Sequence, residues 1–303
     1  MMERNSFLNE IKRTYSSGAM HIRLVIVNAI VFIAVGLLEL AGRFFGDGDF
    51  ISYILTSLFT LKTEIVGFFT HPWGIITSMF AHFGFWHFAM NMLFLFFAGQ
   101  MFLQFFSGKR LLSTYLLGGL FGGALEILTH LIFPTIGDQG AVVVGASGSI
   151  MAIFMALAFY RPQLQIMLFG FVPIRLFVLA IVFLLSDLFA IGTNDGTAHF
   201  AHLGGALLGY LSVRNINSSK NIITRFSKYI DQIFVLFKKI FGKKKMRVVK
   251  TEGRSSFKSD EQYALDKKIN QAKIDAILDK ISRSGYDSLS KQEKDFLFKQ
   301  SGK

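Results

Sequence analysis

Ala198-His199-Phe200-Ala201-His202-Leu203-Gly204-Gly205-Ala206-Leu207-Leu208-Gly209 sets a histidine at the head of an apolar run, with glycines three and seven residues beyond His202. Residues at that spacing share roughly one helix face. A bare glycine face lets another backbone come close. The complementary stretch is Gly145-Ala146-Ser147-Gly148-Ser149, at the head of another apolar run, where glycines leave room beside a serine. Read together, they predict that the glycine face below His202 packs on Gly145 and Gly148. Ser147 would then meet an imidazole within the 2.6–3.2 Å reach that a general base needs. Either stretch alone carries little, because a serine between glycines in a membrane helix is usually a packing residue. Packing is the reading adopted for Ser149.

Composition places both stretches in a membrane. Apolar residues make up 52% of the 303, aromatic residues 15%, and there are only four prolines, more apolar than a soluble domain needs. Residues 1–213 hold as many basic as acidic side chains, so the whole +12 excess falls in residues 214–303. With no cysteine, disulfides, thiol nucleophiles and Cys-based metal sites are excluded. The first 22 residues are polar, and no small-residue cleavage pattern follows the apolar run from Leu24. That run is therefore expected to be a retained membrane helix.

Apolar stretches near 24–42, 85–106, 111–133, 141–160, 173–191 and 198–213 have the length that a core of about 30 Å requires of a helix. Six spanning helices are expected. Lys12, Arg13, Arg23, Lys109, Arg110, Arg161, Arg175 and Arg214 flank one side of this arrangement, and Asp138 and Asp195 lie on the other. Positive charge marks the cytoplasmic side, so both termini are expected there. The first loop, residues 43–84, is rich in aromatic side chains. It is too apolar for a solvated linker and is expected to lie partly in the membrane interface. Gly118, Gly119, Gly122 and Gly123 read as packing positions of the third helix.

The expected fold class is all-α, a polytopic six-helix bundle with a basic amphipathic helix and a small C-terminal helical hairpin. Residues 1–23 form a cytoplasmic N-terminal segment and residues 24–213 the bundle. Residues 214–260 carry the basic helix, with Ile223, Phe226, Ile230, Phe234 and Phe237 opposite lysines and Lys243, Lys244 and Lys245 following, then a linker. Such a helix suits an anionic lipid surface better than nucleic acid. Residues 261–303 form the hairpin, with Gly285 stopping its first helix and Ser290 and Glu293 forming a capping box on the second.

Polar side chains inside spanning segments are costly, so each is a functional candidate until packing explains it. Those remaining are His82, His87, Asn91, Glu126, Ser147, Ser149, Asp187, His199 and His202. Ser147 and His202 form the expected catalytic dyad, at matching depth near the outer surface. No carboxylate is assigned as a third member. His87 and Asn91, four apart on one face, offer donors to a developing oxyanion. No His-Glu-x-x-His pattern or acidic ligand accompanies His82, His87, His199 and His202, so neither a metal nor a cofactor is expected. His82 and His199 read as structural or interfacial.

Trp86-His87 with Asn91, Gly145-Ala146-Ser147-Gly148, and Ala201-His202-Leu203-Gly204-Gly205 with Gly209, in that order, resemble the rhomboid intramembrane proteases over about residues 24–213. The resemblance implies a six-helix rhomboid fold, Ser147 as nucleophile and His202 as base. It implies an oxyanion hole of His87, Asn91 and the Ser147 backbone, and transmembrane protein substrates cut near the outer boundary. The tail resembles a helical domain appended to some bacterial rhomboids, so the bacterial inner membrane is the expected location. Three positions depart from the family pattern. Gly74 follows Trp73 where arginine is frequent, Met151 stands where an aromatic is usual, and Gln100 and Gln104 are the nearest polar residues to an absent glutamate. A non-proteolytic rhomboid-like protein that binds or dislocates clients is the alternative, but it would not need Ser147 and His202 together. A transporter would call for broken helices and inverted repeats, which the sequence does not display.

The charge distribution yields a topology test. A reporter fused after Lys220 should report the cytoplasm and one near Asp138 the outside; either result reversed removes the six-helix topology.

Overall fold

The structure, a computed structural model, describes residues 18–133, 142–168, 171–193, 195–241 and 260–301. Lys12, Arg13, Asp138, Lys243, Lys244, Lys245 and residues 246–259 of the expected linker lie outside them. Residues 19–103 and 108–241 belong to one compact unit, and residues 260–301 to a second.

In the first unit, α1 (Met20–Phe45), a loop with α2 (Gly48–Phe59), β1 (Leu61–Lys62), α3 (Ile65–Thr70) and α4 (Gly74–Thr77), and then α5 (Phe85–Phe105) and α6 (Gly108–Ile132) follow in order. Among the described residues, α1, α5 and α6 are long and apolar enough to cross a membrane. Next come β2 (Val142–Val143), α7 (Ser147–Tyr160), β3 (Gln165–Leu168), β4 (Val172–Arg175), α8 (Leu176–Ala190), α9 (His199–Val213) and α10 (Ile222–Phe241). Helices α7, α8 and α9 have 14, 15 and 15 residues, about 21–23 Å at the helical rise.

These three helices are shorter than the sequence reading expected. Residues 142–143 are β2, antiparallel to β1 with Leu61 opposite Val143. The β-branched run Val142-Val143-Val144 favours extended backbone. Gly145 then takes φ +120°, a conformation closed to a helical residue, so α7 starts only at Ser147. Residues 173–175 likewise belong to β4, which pairs with β3. Pro173 lacks the N–H that a helix interior would use. The all-α expectation is thus amended by two small ribbons.

Glycines determine how the helices meet. A Cβ at Gly205 would run into the Gly148 carbonyl oxygen, and one at Gly209 would lie 2.6 Å from the Ala152 carbonyl oxygen, so α9 lies backbone to backbone on α7. On its other side, Gly204 faces the Phe121 carbonyl oxygen of α6 at 2.6 Å by the same measure, and Gly122 faces that of Ala201. The expected contact with Gly148 is present. Gly145 instead abuts the His87 ring, where a Cβ would sit 2.7 Å from Cε1 and Nε2.

The first loop leaves Phe44, Phe45, Phe50, Tyr53 and Phe69 exposed yet is pinned from beneath. The Trp73 indole N–H donates to the Ser57 carbonyl (2.9 Å), and the Thr77 hydroxyl to that of Leu58 (2.6 Å). Tyr115 of α6, fully buried, donates its hydroxyl to the Met79 carbonyl (2.7 Å). At Gly74 any side chain would strike the Thr60 carbonyl, which explains why a larger residue is absent beside Trp73. The start of α10 is docked on the bundle. Ile223 is buried with Leu117, Ala152 and Leu208, Lys109 pairs with Asp231, and Arg110 donates to Oδ1 of Asn221 (3.2 Å), which accepts the Ile223 N–H at the head of α10.

The C-terminal unit contains α11 (Asp260–Ser284) and α12 (Lys291–Ser301). Gly285 takes φ +76°, and its N–H donates to the Ile281 carbonyl (2.9 Å). The capping box closes: the Ser290 N–H donates to Glu293 Oε2 (2.7 Å), and the Glu293 N–H to Ser290 Oγ (3.3 Å). The Ser290 N–H, followed by Lys280, holds the Glu293 carboxyl down to about 2.

Gly205→Val should therefore lower the melting temperature in detergent, because overpacking costs about 1–3 kcal/mol. Gly36→Ala, at a helical site with nothing near the added methyl, should not. A Gly205→Val bundle as stable as the native one would show that the α7–α9 approach is not limiting.

Candidate active site

The nucleophile candidate stands on a turn fixed from three directions. Gly145 donates its N–H to the Ser78 carbonyl (2.9 Å). The Ala146 N–H donates to His82 Nε2 (3.3 Å), and the β1–β2 pairing holds Val142 and Val143 just before. His82 is fully buried and meets the His87 ring edge to face at 5.1 Å, so its visible part is to shape this turn. Ser147 begins α7, while the Ser149 hydroxyl is buried and has no hydrogen-bond partner among the described residues.

Across the helix contact, His202 Nε2 lies 2.8 Å from Ser147 Oγ, and its Nδ1 lies 2.8 Å from Asp187 Oδ1. An ionised carboxylate only accepts, so Nδ1 carries the hydrogen. In the neutral ring, that leaves Nε2 as an acceptor facing the serine hydroxyl. Asp187, on α8, is the acid that the sequence reading declined to assign. His199 Nδ1 reaches the same Oδ1 at 2.9 Å. Asp195 Oδ1 lies 3.3 Å from His199 Nε2 without hydrogen-bond alignment. It also accepts the Thr197 N–H (2.8 Å), which lowers the Asp195 carboxyl below its ordinary value.

Glu126 has a different task. Its Oε2 accepts the Ala201 N–H (2.8 Å), one of the N–H groups that the start of a helix leaves unpaired. A side chain of α6 thereby caps α9 one residue before His202.

His87, Asn91, Ser147, Asp187, His199 and His202 line one cavity of about 1140 Å³ whose apolar wall includes Met90, Met151, Phe154 and Phe183. The Asn91 amide nitrogen donates to the His87 carbonyl (2.8 Å), which orients the amide with one hydrogen to spare. The four histidines of the sequence reading do not form one cluster, because His82 and His87 pair with each other. Asp187, His199 and His202 do converge, with ligand atoms within 4.8 Å of one another. The structure thus supplies the acidic companion that the sequence lacked. This trio has the donor types of a divalent-ion site, and within it Asp187 Oδ1 stands at hydrogen-bond distance from both imidazoles, 2.8 and 2.9 Å.

In this helical protein a serine, a histidine and a carboxylate thus stand in line at the end of a glycine-packed helix pair. Residues 70–216 match the rhomboid domain, and the chain is similar to rhomboid-like proteins. It is similar to RHOMBOID-like protein 12, mitochondrial, of Arabidopsis thaliana, with 29% identity over 208 residues, 65% of this chain and 58% of that protein. RHOMBOID-like protein 6, mitochondrial, of the same plant is 31% identical over 146 residues, 46% and 41% of the two chains. Rhomboid protein 1, mitochondrial, of Saccharomyces cerevisiae is 29% identical over 142 residues, 46% and 40%. The chain spans about half the length of these curated relatives. Residues 258–303 match a family of unknown function, DUF6576.

Glu126→Leu should lower the melting temperature, since a buried N–H left unsatisfied costs about 1–3 kcal/mol. Glu126→Gln, which keeps an acceptor oxygen, should recover most of it. Equal losses from both would show that the Ala201 hydrogen bond is not what Glu126 contributes.

Proposed function

We propose that this chain is an intramembrane serine endopeptidase that cleaves transmembrane proteins near the outer membrane boundary. The hydrogen bond from Ser147 to His202, with Asp187 behind it, carries the reading. Ser147 Oγ attacks the scissile carbonyl as His202 Nε2 takes its proton. The imidazolium then protonates the leaving amine, and water entering the cavity hydrolyses the acyl-enzyme with His202 again as base. The Ser147 N–H, His87 and Asn91 serve the developing oxyanion. Asp187 fixes the His202 tautomer and stabilises the imidazolium, as the carboxylate of a Ser-His-Asp triad does. No metal or other cofactor takes part.

In the same reading, six helices span the membrane and both termini are cytoplasmic, in a bacterial inner membrane. Shortness is no obstacle for α7–α9, since non-helical backbone is tolerated at membrane depth where it is buried in protein or lines a watery cavity. Residues 24–213 form the protease domain, and residues 261–303 an accessory hairpin. The basic helix between them meets anionic lipid rather than nucleic acid.

Ser147→Ala and His202→Ala should each reduce cleavage of a transmembrane reporter in detergent to background, with melting unchanged. Ser147→Ala should also abolish fluorophosphonate labelling. Asn91→Ala and His87→Ala should retain weak activity, reduced roughly 10²- to 10³-fold in kcat. Undiminished cleavage by folded Ser147→Ala would remove the serine mechanism. A native protein that neither cleaves nor labels would favour a client-binding, non-proteolytic role.

A further inference from the structure

We propose that His199 is a positioning residue for this reaction, holding the Asp187 carboxylate in register for His202 through its Nδ1 hydrogen. The proposal rests on the protease reading above and adds to it a residue with no hydrogen bond to the serine or the base.

One oxygen, Asp187 Oδ1, takes both His202 Nδ1 at 2.8 Å and His199 Nδ1 at 2.9 Å. The two imidazoles stand three residues apart on the first turn of α9, hence on one face. Their N–H groups form a fixed two-pronged fork, and the carboxylate they grip belongs to a different helix. With one prong alone, Asp187 keeps rotamer freedom about the remaining hydrogen bond. With both, its position is set relative to α9, the helix that carries the base. His199 and Asp187 are both buried, so water does not readily replace the lost donor.

The surrounding groups have other engagements. Glu126 is committed to the Ala201 N–H. Asp195 approaches His199 at Nε2, the opposite ring nitrogen, and accepts from Thr197. The His199 and His202 rings meet only edge to face, with centroids 6.4 Å apart. The connection from His199 to the base therefore runs through Asp187, and it depends on which ring nitrogen carries the hydrogen.

That regiochemistry makes the proposal testable. The amide N–H of asparagine mimics the place of imidazole Nδ1–H, whereas that of glutamine mimics Nε2–H. Reporter cleavage in detergent should show His199→Asn retaining most of kcat. His199→Gln and His199→Ala should lose on the order of 10- to 100-fold in kcat, the scale of a small misplacement of a catalytic group, with KM unchanged throughout. Asparagine no better than glutamine, a loss confined to KM, or native kcat in all three variants would overturn the role.

A second measurement does not need turnover. In ¹⁵N-histidine-labelled Ser147→Ala protein, two hydrogen-bonded Nδ1–H resonances should appear downfield. His199→Asn should remove one of them, and Asp187→Asn should shift both upfield. Two such resonances in a protein whose native form neither cleaves nor labels would overturn the protease reading and leave the fork standing. Their absence would overturn the fork even if the native protein cleaves.

Discussion

The backbone contact between α7 and α9 is the constraint on which the rest of the structure depends. Lipid is as apolar as a leucine side chain, so membrane helices gain little from hiding apolar surface from one another and associate through close packing and hydrogen bonds. Gly205 against the Gly148 carbonyl, and Gly209 against that of Ala152, bring the two backbones to a separation that side chains would prevent. Ser147 stands at the first position of one helix and His202 in the first turn of the other. Once the glycines seat, the hydroxyl and the imidazole are at hydrogen-bond distance.

The start of α9 gathers what that contact alone would leave loose. Glu126 from α6 satisfies the Ala201 N–H, and Asp187 from α8 takes the two histidine N–H groups. Carboxylates among membrane helices are expensive and persist where they are engaged. Here each is engaged with the same turn of α9, one with its backbone and one with its side chains. Helices α6, α7 and α8 thus converge on the first turn of α9, which carries His202.

The first loop holds the other half of the site. It supplies β1 for the strand that precedes the Ser147 turn, the Ser78 carbonyl for Gly145, and His82 for the Ala146 N–H. Its own position comes from Trp73, Thr77 and the buried Tyr115 hydroxyl. A segment whose aromatic residues face outward is on its inner side a brace for the serine. The glycine at position 74 follows from the same packing, since the Thr60 carbonyl occupies the space of a side chain.

The sequence by itself determined the membrane character, the places of the helices, the glycine face below His202 and the capping box at Ser290. Each of these is written in composition or in local spacing. It brought forward Ser147 and His202 because glycines flank both, and His87 with Asn91 because four residues separate neighbours on a helix. Tertiary structure alone decided that Asp187 completes the line. Asp187 sits fifteen residues before His202, in an apolar helix whose periodicity does not show which way it is rotated against its neighbours. The partner of Glu126, the strand that replaces the first residues expected of α7, and the sharing of one carboxylate oxygen by His199 and His202 were hidden for the same reason. Spacing along a chain fixes which residues share a face, while the depth and rotation at which that face meets another helix arise only when the helices pack.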